Sequence, residues 1–349
     1  MENSRRDFIK VIGLGMAGML KVPDFQSAAT PFDPELPDLL IDDAGEPIRS
    51  AEAWLKRREA VKNTWSTYLG LIADTRAATH LKVLREEMTA GVARQFVEYE
   101  NEPGSTVNAY ILKPRKMTGP LPGAVAMHST SDNQMKYITG VEKGEIPPGG
   151  LDLAKLGFVV ICPQCFLWRD RGDRTYEEQV RRFQRIHPGS KGMAGMLYDA
   201  MRAVDVLAGM PEVDSERIGA MGHSLGGKEV LYLGAFDERV KAAVSNEGGI
   251  GIGFSNWDDP WYLGKEIRNF GHQHHEILAL CAPRPFLLIG GNSADGAKSI
   301  PYIDAVKPVY GLFGKQDCLE FFDHGMGHNI VPESDKMTFE WMVRHLADR

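Results

Sequence analysis

The chain has 349 residues, 43% of them apolar and 25% charged, with a net charge of −7. That balance supports one large or two ordinary hydrophobic cores, and the acidic excess argues against a nucleic-acid-binding surface. Four cysteines, Cys162, Cys165, Cys281 and Cys318, are too few for a disulfide framework in so long a chain.

The first elements read as an address. Ser4-Arg5-Arg6-Asp7-Phe8-Ile9-Lys10 is similar to the twin-arginine export signal, and an apolar, glycine-rich stretch follows over residues 11–20. That stretch is too short to span a bilayer. Ser27-Ala28-Ala29 supplies the small residues of a cleavage site. Residues 1–29 are therefore expected to be a signal peptide, which places the mature protein in the periplasm or outside the cell. Residues 30–90 read as an N-terminal extension. Within it, residues 51–72 carry Trp54, Leu55, Val61, Trp65, Tyr68 and Leu69 on related helical faces.

Residues 91–349 read as one further domain. Residues 92–100 and 107–112 alternate as strands around a Pro103-Gly104 turn. Strands are then expected at 123–128, 158–162, 218–221, 240–245, 286–290 and 318–322. Helices are expected at 151–156, 193–207, 226–236, 302–313 and 333–346. Such alternation predicts an α/β fold with a mostly parallel central sheet flanked by helices.

Gly222-His223-Ser224-Leu225-Gly226 falls between a predicted strand and a predicted helix. A tight turn there lifts a serine hydroxyl clear of both elements, and the flanking glycines permit it. Serine is a poor nucleophile until a base takes its proton and a carboxylate fixes the base. His328, in a glycine-rich loop after the last strand, is the expected base; His324 is its local rival. Two carboxylates compete for the acid. Asp295 follows the 286–290 strand and is preferred; Glu247, in Ser245-Asn246-Glu247-Gly248-Gly249, is the alternative. An oxyanion site needs two backbone N–H groups. Leu225 is expected to supply one, and Ser129 or Thr130, after the 123–128 strand, the other.

His128-Ser129-Thr130, Gly222 to Lys228, Ser245 to Gly249, Ala282-Pro283-Arg284-Pro285 and Gly325 to His328 together resemble the α/β-hydrolase superfamily. More narrowly, they resemble its dienelactone hydrolase-like and acetyl xylan esterase-like branch. The chain is also similar to glucuronoyl esterases, which carry a lysine four residues after the nucleophile, here Lys228, and a glutamate on the next strand, here Glu247. They have an arginine where this chain has Leu225. The resemblance implies a serine esterase that needs no cofactor and takes a small-molecule or glycan ester. The acetyl xylan type is expected first, with a glucuronoyl or broad carboxylesterase as alternatives. A non-catalytic binding protein on the same scaffold is the alternative from another class.

For binding, Lys228 is a candidate partner of a uronate, and Trp257 and Trp261 are candidates for a sugar-stacking wall. Three other motifs are assigned structural roles. Cys162-Pro163-Gln164-Cys165 ends a strand, so its thiols lack a helix N-terminus to activate them. His272-Gln273-His274-His275 reads as capping or flanking the helix that leads to Leu280. The alternating charges of Arg169 to Arg174 read as a locally paired loop.

Overall fold

The computed structural model describes residues 36–72, 78–131, 133–144 and 146–347; the expected signal peptide lies outside them. Helix α1 (Ala51–Leu69) precedes three antiparallel strands, β1 (Lys82–Thr89), β2 (Val92–Glu102) and β3 (Ser105–Pro114). The chain continues through β4 (Leu121–Met127), α2 (Gln134–Ile138), α3 (Gly149–Lys155), β5 (Val159–Pro163), α4 (Tyr176–Ile186) and α5 (Gly192–Ala208). Then come β6 (Val213–His223), α6 (Leu225–Phe236), β7 (Val240–Asn246), α7 (His274–Leu280), β8 (Phe286–Gly290), α8 (Ile300–Leu312), β9 (Leu319–Asp323) and α9 (Pro332–Met342).

The strands form one sheet in the order β1-β2-β3-β5-β4-β6-β7-β8-β9. Pairing is parallel from β5 to β9. This is the mostly parallel sheet that the alternation predicted. Successive residues of a strand face opposite ways, and both faces are covered. Val125 and Met127 join a core with α5, α6 and α7, while Ala124 and Ala126 join another with α3 and α9. The chain leaves β4 toward β5 on one side and returns to β6 on the other. A crevice therefore opens at the carboxyl ends of β4 and β6, where ligands bind in open α/β sheets.

Helix α1 packs against α7. Its buried residues Trp54, Arg58, Val61, Trp65 and Leu69 recur every three or four positions. Trp65 Nε1 donates to Glu276 Oε2 at 2.7 Å, and Arg58 Nε donates to the Leu280 carbonyl at 3.2 Å. Strand β1 and helix α4 are among the elements that lie outside the sequence expectation. Strand β1 is exposed along nearly its whole length, so burial imposes no alternation on it. Helix α4 is strongly charged, but Thr175 and Glu178 close a capping box at its start.

Candidate active site

Ser224 sits between β6 and α6 with φ 59° and ψ −119°, a strained conformation for a residue with a side chain. The turn closes because its neighbours lack one. A Cβ on Gly222 would lie 2.4 Å from the Gly226 carbonyl oxygen, and one on Gly226 would lie 2.5 Å from that of Met127. The Ser224 N–H donates to the Asn246 carbonyl at 2.9 Å, tying the elbow to the end of β7. Leu225 opens α6, and first-turn N–H groups have no acceptor within their own helix.

His328 lies in the loop between β9 and α9. Its Nε2 is 2.8 Å from Ser224 Oγ, and its Nδ1 is 2.9 Å from Glu247 Oε2. Glu247 follows β7 with φ 51° and is fully buried. It also accepts from the N–H groups of Gly291, Ala294 and Asp295. Burial alone would raise its pKa, but the bonds from His328, Ala294 and Gly291 outweigh burial and hold the carboxyl below its ordinary range. A carboxylate facing Nδ1 fixes the proton there and leaves the Nε2 lone pair toward the serine. His324, the rival base, instead accepts from the Met326 N–H at 3.1 Å.

The preference for Asp295 as the acid is therefore corrected. Asp295 is fully buried, but its oxygens accept from the N–H groups of Gly249 and Ile250 and from Ser299 Oγ. It braces the loop after β7, and Glu247 takes the place beside His328. Burial raises the Asp295 pKa, against the pull of those hydrogen bonds.

The loop after β4 reaches the elbow through Ser129. Its Oγ donates to the His223 carbonyl at 3.0 Å and lies 2.9 Å from His223 Nδ1. With its hydrogen spent on the carbonyl, Oγ accepts from Nδ1–H, so the buried His223 ring has Nε2 unprotonated. Burial and the nearby His328 push its pKa down to about 3. His128 holds the same loop from below: Nδ1 bonds the Ser129 carbonyl at 2.8 Å, and Nε2 accepts from the Cys165 N–H at 3.1 Å. Burial lowers its pKa to about 4, so it is a neutral bracket. Thr130, the other oxyanion candidate, is exposed. Sequence reasoning passed over His128 and His223 as acting residues; the direct attachment of His223 to Ser224 was the available signal.

The stacking wall needs a second correction. Trp257 is fully buried, donates Nε1 to the Gly249 carbonyl at 2.6 Å, and packs against Tyr232, Tyr262 and His274. No face is left for a sugar. Trp261 keeps partial exposure and packs edge-on against Tyr176. Lys228 is 4% exposed; its Nζ donates to Ser255 Oγ at 2.7 Å and lies 4.1 Å over the Trp257 ring. Burial pulls its pKa down to about 7 despite Asp295 and Asp259. The lysine is thus engaged inside the protein, away from a solvent-borne uronate.

The remaining motifs have local partners. His274 bonds the Ile250 carbonyl and Tyr232, while His272 bonds Glu276 and His275 the Pro37 carbonyl. Cys162 and Cys165 are both free and buried. Arg169 pairs with Asp199, and Arg174 donates to Gln179.

Comparison with known proteins agrees with this architecture. Residues 107–267 match the model of the Dienelactone hydrolase family. The chain is 28% identical over 237 residues to Putative hydrolase YtaP of Bacillus subtilis (strain 168), covering 63% of this chain and 77% of that protein. It is 24% identical over 374 aligned positions to Carbohydrate esterase MZ0003 of an unknown prokaryotic organism, covering 89% and 84%. A CE15 glucuronoyl esterase from Teredinibacter turnerae T7901 superposes with a TM-score of 0.69 at 20% identity, over 98% of this chain and 99% of that one. The chain has the α/β-hydrolase fold, and its segment 107–267 is similar to the Dienelactone hydrolase family.

Proposed function

We propose that this protein is a carbohydrate esterase of the glucuronoyl ester type, using Ser224 as nucleophile, His328 as base and Glu247 as the orienting acid. The observation that carries the reading is the unbroken hydrogen-bonded line from Ser224 Oγ through His328 to Glu247 at the elbow. Ser224 Oγ attacks the ester carbonyl carbon while its proton passes to His328 Nε2. Negative charge gathers on the carbonyl oxygen, facing the N–H groups of Leu225 and Ser129. Collapse breaks the ester C–O bond, His328 returns the proton to the leaving alcohol, and the acyl group stays on Ser224. Water, deprotonated by the same imidazole, then releases the acid.

The glucuronoyl type is supported by an acid at the end of β7 together with a lysine four residues after the nucleophile. The names of the similar carbohydrate esterase and glucuronoyl esterase point the same way. An acetyl xylan esterase-type activity is the second reading. It is favoured by Leu225, where glucuronoyl esterases carry an arginine, and by the burial of Lys228 and Trp257. The test is a rate comparison on a methyl glucuronoyl ester, acetylated xylan and aryl acetates, with fluorophosphonate labelling of Ser224. A preference of at least about tenfold (about 1.4 kcal/mol) for the glucuronoyl ester is expected. A preference for acetylated xylan moves the assignment to the second reading. Absence of both hydrolysis and labelling leaves a binding protein.

A further inference from the structure

On the side of the elbow opposite Lys228, between the sheet and helices α3 and α9, lies a cleft of ≈ 50 Å³. A single water needs about 10–15 Å³ by the same measure, so the cleft has room for a small group. Its walls are largely apolar, with Met127, Met221 and Val244 among them, and it reaches Ser129 and His223 at the catalytic end of the sheet. Three of its lining residues carry polar groups without a protein partner. His223 is 7% exposed and Asn246 5% exposed, and His223 Nε2 and Asn246 Oδ1 have no hydrogen-bond partner. The third is the Asp335 carboxyl, on the first turn of α9. Its backbone N–H is bonded to the Val331 carbonyl, while its side chain enters no hydrogen bond or ion pair among the described residues.

All three groups are acceptors. The Ser129 bond leaves His223 Nε2 bare, Oδ1 is a carbonyl-type oxygen, and the Asp335 carboxyl keeps an acceptor oxygen whether ionised or protonated. His223 Nε2 and Asn246 Oδ1, buried without donors, cost free energy, and an apolar pocket with a few polar groups is the usual form of a ligand site. The missing complement is a donor on a short apolar stem.

We infer that this cleft is a substrate subsite for a short hydroxyalkyl arm, whose hydroxyl donates to Asp335 within reach of His223 and Asn246. The inference rests on the esterase reading above and adds a specificity to it. The carboxyl is suited to the role because burial, with Asp152 nearby, raises its pKa to about 7; a group so poorly solvated gains from any donor brought to it. Asp152 is itself held by Lys155 at 2.8 Å, which leaves Asp335 to the cleft.

The test uses two matched ester pairs: p-nitrophenyl hydroxyacetate against propanoate for the acyl side, and 2-hydroxyethyl against propyl glucuronate for the alcohol side. The full chain is expected to favour the hydroxylated member at least tenfold in kcat/KM in one pair, which also identifies the side that enters the cleft. Asp335→Leu should abolish that preference while leaving the p-nitrophenyl acetate rate within a few-fold; Asp335→Asn, which keeps an acceptor oxygen, should retain most of it. Titrating the same esters into Ser224→Ala reads binding without turnover, so a failed triad and a failed subsite give different results. Equal handling of both pairs, in turnover and in binding, overturns the inference, as does a preference that survives in Asp335→Leu.

Discussion

Replacing Glu247 by glutamine removes the charge that fixes His328 while keeping the shape of the side chain. The carboxylate receives His328 Nδ1 and three backbone N–H groups, from Gly291, Ala294 and Asp295. Glutamine offers one oxygen and one NH₂, so at least one of those donors meets another donor. If the displaced donor is Nδ1–H, the imidazole adopts the wrong tautomer and Nε2 cannot take the Ser224 proton. Loss of the orienting carboxylate in a serine triad costs about 10³–10⁴ in kcat, or about 4–5.5 kcal/mol in transition-state stabilisation. Asp295→Asn makes the contrast. It removes no contact to His328 and disturbs only the brace to Gly249, Ile250 and Ser299. One unsatisfied donor there costs about 1–3 kcal/mol of stability, with kcat expected within about tenfold of wild type. Steady-state hydrolysis of p-nitrophenyl acetate, paired with urea denaturation, separates the two. If Asp295→Asn abolishes turnover in a folded protein while Glu247→Gln stays within a few-fold of wild type, the assignment of the acid is refuted.

Three further outcomes are expected. Lys228 has a folded-state pKa of about 7 against its ordinary 10.5 because burial penalises its charge. Between those values the unfolded chain binds a proton that the folded chain does not, so this residue's contribution to stability should rise with pH through about 7–10; Lys228→Met should lack that rise in urea midpoints, and parallel profiles would count against it. Trp65→Ala should cost about 3–5 kcal/mol of stability by emptying the α1–α7 seam, with kcat on aryl acetates unchanged; a loss below about 1 kcal/mol would show that α1 docks only loosely. The double substitution Arg5→Lys with Arg6→Lys should trap the precursor in the cytoplasm on fractionation, and unchanged export would remove the twin-arginine expectation.

The proposed nucleophile and base were legible as a pair that meets because each is announced locally, Ser224 by flanking glycines between a strand and a helix, and His328 by a glycine-rich loop after the last strand. The acid was not, because β7 and β8 end side by side and each delivers a carboxylate to the same region. What separates Glu247 from Asp295 is the direction of backbone N–H groups from one loop into the other, across 44 to 48 residues, which no local pattern encodes. Trp257 was misread for a related reason. A tryptophan on a loop between polar residues looks available until His274 and Tyr232, from α7 and α6, are packed against it. Helix α4 was hidden by its charge, although Thr175 and Glu178 stood at capping-box spacing. Strand β1 left no signal, since its side chains face solvent along most of its length.

His128 gives the loop after β4 a property that loops usually lack. The last paired rung of β4 and β5 is Val125 with Ile161, and beyond it the two strands part. The imidazole then takes an N–H from Cys165 on one edge and bonds the Ser129 carbonyl on the other, the pairing that a peptide group makes in a ladder. In effect a side chain impersonates backbone and carries the sheet's hydrogen bonding past the place where the strands diverge. The loop expected to meet a developing oxyanion is thereby held by an extension of the sheet, and its position follows the stiffness of the scaffold.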